Sequence, residues 1–304
     1  MSEYHNPVML QECIEGLNIN PNGIYVDVTF GGGGHAKEIL KHLDKGHLYA
    51  FDQDKDALKN AEGLDKSKFT MVNANFRHLK RYLKFYKVGK IDGLLADLGV
   101  SSHQFNVADR GFSIRFEGPL DMRMNKSEGE TAADVLNNYD VNELHKIFGM
   151  YGELKNARTL ALIVEKARKV KEIESIEEFK HVIKPCTPRG KENKYLAQVF
   201  QALRIVVNQE MKALEEMILQ CADVIKEDGR LVVMSYHSLE DRPVKNYFKQ
   251  GKLHGQVEKD FYGNMLKPFK EINRKPITSS KEELEINNRA RSAKLRVAER
   301  TDLK

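Results

Sequence analysis

The chain has 304 residues, 41% of them hydrophobic, enough for one large domain or two ordinary ones with a real core. Its three cysteines, Cys13, Cys186 and Cys221, lie far apart, which excludes a disulfide scaffold and a cysteine-rich metal site. The net charge of +5 is mildly basic, no leader-like segment opens the chain and no apolar run reaches membrane-span length, so a soluble, cytoplasmic protein is expected.

Pro7 to Leu17 carries apolar residues at helical spacing and predicts an amphipathic helix, followed by a turn at Asn20-Pro21-Asn22-Gly23. Ile24-Tyr25-Val26 starts a first strand that ends at Asp27. Then comes Val28-Thr29-Phe30-Gly31-Gly32-Gly33-Gly34-His35 and a helix to about Leu43. Glycines allow a sharp turn and a close backbone approach to a ligand. A helix start offers free N–H groups to an anionic group. Gly31, Gly33 and Ala36 match the dinucleotide fingerprint G-x-G-x-x-A, which alone would suggest NAD. Asp27 argues otherwise. A carboxylate just before the glycines repels a pyrophosphate but suits the ammonium and sulfonium of S-adenosylmethionine.

A second strand ends at Asp52, a short helix covers Lys55 to Ala61, and a third strand spans Lys68 to Val72. A helix near Arg77 to Phe85 and a fourth strand from Ile91 to Asp97 follow. Such alternation predicts an α/β fold, a mostly parallel Rossmann-like sheet with helices on both faces. Ligands of such sheets bind beyond the carboxyl ends of the strands. Asp27, Asp52 and Asp97 therefore converge on one crevice. Asp52 is placed to accept ribose hydroxyls, and Phe76 either packs on an adenine face or joins the core.

After Asp97 the alternation stops in a long polar stretch. Helices follow, capped at Thr131, at Asp140 with Glu143 and at Ser175 with Glu178, with another over about Asn156 to Val170. Tyr195 to Cys221 reads as one long or bent helix returning the chain to the sheet. A turn at Lys226 to Gly229, a strand from Arg230 to Ser235, a helix from Arg242 to Phe248 and a last strand at Ala293 to Ala298 complete the pattern; 251–288 is weakly patterned. The expected domains are 1–104 and 206–304 for the sheet and 105–205 for an inserted, all-helical unit. Two basic clusters, His181 to Lys194 and Arg289 to Arg300, are suited to phosphate backbones. The histidines show no metal-ligand spacing, so no metal is expected.

Six phrases add up to a resemblance: His5-Asn6-Pro7-Val8-Met9-Leu10, the glycine loop from Asp27 to His35, Asp97-Leu98-Gly99-Val100-Ser101-Ser102, Arg110-Gly111-Phe112-Ser113, Gly118-Pro119-Leu120-Asp121-Met122-Arg123-Met124, and Ser235-Tyr236-His237-Ser238-Leu239-Glu240-Asp241-Arg242. In this order the chain resembles the bacterial 16S rRNA cytosine-N4 methyltransferase family. The resemblance implies a class I methyltransferase fold with a seven-stranded sheet and an inserted helical domain. It implies S-adenosylmethionine as donor and the N4 amine of a decoding-centre cytidine in the small ribosomal subunit as acceptor. It carries cofactor contacts over to Gly33, Gly34, His35, Asp52, Phe76, Asp97 and Gln104. The chain departs from the family at Lys194-Tyr195-Leu196-Ala197-Gln198, where many members have His-Pro-Ala-Thr-Arg; Arg189, Lys191 and Lys194 are candidate substitutes as RNA contacts.

Asp97 is the expected catalytic acceptor of an N4–H bond, with His237 as a second candidate for the proton or for a phosphate. Phe112 is a candidate platform for the flipped base, with Arg110 and Arg123 on backbone phosphates. A non-catalytic assembly factor on the same fold and an NAD-dependent oxidoreductase are the competing readings. No membrane partner is expected, and a homodimer is left open.

Overall fold

The structure, a computed structural model, describes residues 7–302. His5 and Asn6 of the first phrase lie outside the described residues. The chain divides into two compact units, one of residues 1–99 with 211–304 and one of residues 100–210. Both divisions fall five residues from the expected ones at 104/105 and 205/206.

The first unit is built on a seven-stranded sheet in the order β3-β2-β1-β4-β5-β7-β6. Its strands are β1 Ile24–Asp27, β2 His47–Phe51, β3 Phe69–Val72, β4 Ile91–Asp97, β5 Ile225–Ser235, β6 Phe269–Glu271 and β7 Lys294–Arg300. β1 to β5 pair in parallel, and β7 runs antiparallel to both β5 and β6. This is the mostly parallel, Rossmann-like sheet of a class I methyltransferase fold.

Strand periodicity feeds two cores. Val26, Leu94, Ala96, Leu231 and Val233 join one cluster, while Tyr25, Leu95, Val232 and Met234 join another. Helices α1 Leu10–Leu17 and α2 Gly34–His42 cover the second face through Cys13, Leu17, Ala36 and Ile39. Helices α3 Leu79–Phe85, α10 Glu210–Val224 and α11 Ser238–Gln250 cover the first through Leu79, Leu83, Leu214, Ile218, Val244 and Phe248. Each such fully buried Leu or Ile contributes about 1.5–3 kcal/mol.

Several sequence expectations need correction. The turn at Lys226 to Gly229 is an excursion inside β5. The register jumps from Ile91↔Ile225 to Gly93↔Arg230, and Asp228 takes a positive φ of 60°. Gly229 permits it, because a Cβ there would meet Asp92 O at 2.8 Å. The helix expected from Arg242 starts at Ser238, because His237 rather than a residue beside Pro243 is its N-cap. The weakly patterned stretch contributes β6 and helix α12 Lys281–Ile286.

The basic tail is not an arm. Arg289 and Arg291 lie in a 3-10 turn and Lys294–Arg300 form β7, where Arg296 is buried with its guanidinium on Asp241 at 2.6 and 3.1 Å. Arg300 donates to the carbonyls of Ala222 and Pro268 and lies over the Phe269 ring. These charges tie β7 to its neighbours; Arg291 stays exposed.

The second unit is helical: α4 Ser102–Asn106, α5 Ala132–Asn138, α6 Val141–Met150, α7 Ala157–Arg168, α8 Ile176–Ile183 and α9 Glu192–Val207. Thr131, Asp140 and Ser175 form the capping boxes read from sequence. α4 was not expected, although Ser101 and Gln104 form a fourth box. The long helix is instead two, α9 and α10. Asn208 turns its side chain to Met122 O and the Met124 N–H, and Gln209 has φ 49°. The ion pair of Arg204 with Glu210 spans the break.

Arg296→Met should leave the Asp241 carboxylate buried without its guanidinium and destabilise the protein by about 3 kcal/mol or more in urea unfolding. A loss below about 1 kcal/mol would show that Lys294, 3.9 Å from Asp241, takes over.

Candidate active site

The site of the first unit grows from the carboxyl ends of its central strands. At Phe30 to Gly34 the chain turns from β1 into α2. Gly31 and Gly33 have φ of 49° and 76°, and a Cβ on Gly33 would lie 2.9 Å from the Phe30 ring. A Cβ on Gly34 would lie 2.9 Å from Pro7, whereas one on Gly32 would meet nothing within 4 Å. The loop is thus closed on its protein side and open at Gly32.

Asp52 holds this loop. Its Oδ2 accepts from the Gly31 N–H at 2.8 Å, and its Oδ1 from the Asp54 N–H at 2.8 Å. Asn60 closes the far side by donating to Gly31 O. A carboxylate with both oxygens so oriented keeps lone pairs for further donors such as ribose hydroxyls. Phe76 follows β3 and is half-buried against the core, so it serves packing while keeping an exposed edge.

Asp27 is 1% exposed. Its Oδ1 accepts from the Thr29 N–H at 3.0 Å, while its buried Oδ2 has no hydrogen-bond partner. Burial pushes its carboxyl up to about 6 against the pull of His35, and Asp97 and Asp52 add to the rise. Burial pushes Asp97 further, to about 7, although the Tyr236 hydroxyl donates to its Oδ1 at 2.8 Å. Thr29 Oγ1 accepts the Asp97 N–H at 2.7 Å, which fixes the strand end. The two carboxyls sit on paired strands, with Asp27 opposite Leu95 in register.

His35, 6% exposed, uses Nε2 toward Val8 O at 3.0 Å. A carbonyl only accepts, so Nε2 carries the proton. Nδ1 lies 3.9 Å from Asp97 Oδ2, and burial lowers the imidazole's pKa. Burial thus favours the neutral ring beside Asp97.

His237 caps α11. Its Nδ1 accepts the Glu240 N–H at 3.4 Å, and its Nε2 lies 3.1 Å from Glu240 Oε1. Glu240 is 2% exposed and also accepts the Tyr236 N–H at 2.9 Å. In the sequence, Tyr236 and Glu240 appear only as parts of the phrase from Ser235 to Arg242. The spacing His237-x-x-Glu240 is a capping pattern that would have flagged the second.

The remaining expected residues belong to the helical unit. Gln104 is buried, and its Oε1 accepts the Ser101 N–H at 3.0 Å, so this oxygen serves the α4 cap. Arg110 and Phe112 correct the expectation. They are 1% and 5% exposed, and the Arg110 guanidinium donates to the carbonyls of Arg123 and Met124. Phe112 packs with Leu120, Met122 and Met124. The phrases 110–113 and 118–124 thus brace one another, because a guanidinium can hold two turn carbonyls that an apolar core would leave unpaired. Arg123 is half-buried on Asp121 at 2.9 and 3.0 Å. Arg189, Lys191 and Lys194 stand exposed before and within the first turn of α9.

The arrangement suits a small cationic ligand group. An unpaired buried carboxylate oxygen, a second acid whose pKa lies near neutrality and an open glycine turn answer the ammonium, the sulfonium and the ribose of S-adenosylmethionine. The dinucleotide reading of Gly31, Gly33 and Ala36 has no answer to the buried Asp27.

Comparison with known proteins bears on the same point. The family model described as the MraW methylase family matches residues 2–301. A protein from Cytophaga hutchinsonii is 59% identical over 98% of this chain and 99% of its own length. One from Phocaeicola vulgatus is 58% identical over 98% and 97%, and one from Christiangramia forsetii 56% over 98% and 98%. Each of the three is named ribosomal RNA small subunit methyltransferase H. The chain belongs to the MraW methylase family.

Proposed function

We propose that this protein methylates the exocyclic N4 of a cytidine in the decoding centre of 16S rRNA, within the small ribosomal subunit. The observation that supports this best is the pair of strand-end acids, Asp27 buried with an unpaired oxygen and Asp97 partly exposed with a carboxyl near neutrality, beside the glycine turn of a methylase family member. The names of its relatives supply the acceptor class.

S-adenosylmethionine supplies a sulfonium methyl, whose departure leaves a neutral thioether. Asp27 receives the methionine ammonium on its unpaired oxygen. Asp52 receives the ribose, and Gly33, Gly34, His35 and Phe76 line the remainder.

A cytosine N4 is a poor nucleophile because its lone pair is delocalised into the ring. Asp97 accepts an N4–H bond and draws that pair toward the methyl carbon. As the N–C bond forms, the N4 proton passes to Asp97, whose carboxyl takes it readily near neutral pH. Tyr236 steadies one Asp97 oxygen, which leaves the other for the base. His237 caps α11 through its Nδ1, and its buried Nε2, without a hydrogen-bond partner, is the second candidate for the proton. The helical unit 100–210 serves RNA recognition, with Arg189, Lys191, Lys194 and the edge of Arg123 on phosphates. The protein acts in the cytoplasm, where the subunit is assembled, and among the described residues no helix is long and apolar enough to cross a membrane.

The direct test is transfer of labelled methyl to small subunits from an undermethylated strain, with naked rRNA and bulk protein in parallel. Label at a cytosine N4 is expected. Cofactor binding without label on any RNA would favour the assembly-factor reading. Asp97→Asn should lower transfer by about a hundredfold. It should also unfold at an equal or higher temperature at pH 8, because the raised carboxyl pKa makes ionisation above pH 7 a cost to the folded state. Near-normal turnover would remove Asp97 from the chemistry. Replacing Arg189, Lys191 and Lys194 together by Ala should reduce the slope of log affinity against log salt by about 2–3. An unchanged slope would take this loop off the RNA.

A further inference from the structure

Residues 251–268 leave α11, give Leu253 to the core and form a short hairpin. Gly251, at φ 75°, passes the stem so closely that a Cβ would lie 2.7 Å from Leu266 O. Leu266 N–H donates to Glu258 O, and Lys259 pairs antiparallel with Met265. The tip is Asp260-Phe261-Tyr262-Gly263-Asn264, with Gly263 at φ 85°. Asp260 builds it. Its Oδ1 accepts the N–H groups of Tyr262 and Asn264 at 2.9 and 2.8 Å, and its Oδ2 accepts from the Asn264 amide at 2.9 Å.

This turn holds two aromatic rings in water. Phe261 is 98% exposed and Tyr262 84%. The rings meet edge to face, with centroids 5.7 Å apart. Two large apolar rings on a tied turn gain nothing from folding and have lost little freedom still to be lost on binding. Their setting is cationic. Between 252 and 275 stand six Lys or Arg against three acids. Of those acids, Glu258 is paired with Lys252 and Asp260 is used by the turn. Lys259, Lys270, Arg274 and Lys275 are exposed.

We propose that this tip is a stacking platform for unpaired bases of the RNA substrate, with the flanking cations on its phosphates. The inference rests on the rRNA reading above. Aromatic rings within a basic surface fit single-stranded nucleic acid, since every base offers a π face and every nucleotide a charge. A protein partner or a second copy of the chain would use the rings without needing the cations.

The test uses the full chain and two variants. Phe261→Ala with Tyr262→Ala removes both rings at exposed positions. It should raise KM for undermethylated small subunits at least about tenfold, with kcat and affinity for S-adenosylhomocysteine unchanged. Phe261→Trp with Tyr262→Trp should restore KM. An unchanged KM in the alanine variant overturns the proposal, as does loss of self-association by that variant with KM unaltered. A second readout does not depend on catalysis. The chain has no tryptophan, so Phe261→Trp places a single reporter at the tip. An unstructured RNA of about a dozen nucleotides should quench its emission, and quenching should weaken when Lys259 and Lys270 are replaced by Ala. Wild-type protein that methylates no RNA while this tryptophan is still quenched would sink the methyl-acceptor reading and keep the platform. Methylation with no quenching and no change in KM would do the reverse.

Discussion

Burial of carboxylates at the strand ends is the constraint on which this site depends. Asp27 and Asp97 lie on neighbouring parallel strands; Asp27 is withdrawn from water, and Asp97 keeps about a quarter of its side chain exposed. An acid so placed resists ionisation, and an unpaired buried oxygen such as Asp27 Oδ2 is a standing cost. Nothing in the packing of the sheet calls for it. Apolar residues at these positions would be better neighbours for Val26 and Ala96. A site that tolerates such a cost is one built for a ligand that removes it, and a cationic cofactor does so.

The surroundings are arranged to keep these acids in place. Thr29 serves both: its N–H donates to Asp27 and its hydroxyl accepts from Asp97. Asp52 spends both oxygens on backbone N–H groups and so sets the glycine turn beside them. From the other end of the chain, Glu240 pins the Tyr236 N–H, and Tyr236 reaches Asp97. The inserted unit shows the same economy of charge. Arg110 is buried to hold two carbonyls of a turn, which explains why its phrase and that of Gly118 to Met124 occur together.

Much of this was legible in the residues. The first, second and fourth strands read clearly because their apolar runs end at acids, and the third because Asn73 and Asn75 follow it. The helix starts at Thr131, Asp140 and Ser175 read clearly because capping is written within four residues. The family-level function was legible because its phrases are long and ordered. What was hidden depends on distance along the chain. Tyr236 and Asp97 are separated by 139 positions, so their hydrogen bond has no local signature. The charges of β7 looked like an arm because Arg296 meets Asp241 only after folding. Arg110 and Phe112 looked available because an arginine in a polar stretch gives no sign of being buried. β6 spans three residues, too few to show a period.

The central claim is that Asp27 awaits the cofactor's ammonium. It is tested most directly by titration calorimetry of S-adenosylhomocysteine near pH 6.5, in buffers that differ in ionisation enthalpy. Binding of its ammonium should pull the raised Asp27 carboxyl into its ionised form, so a net release of protons is predicted, and Asp27→Asn should reduce it. Binding with no buffer dependence, or with proton uptake, would contradict the account and place the ligand's charge elsewhere.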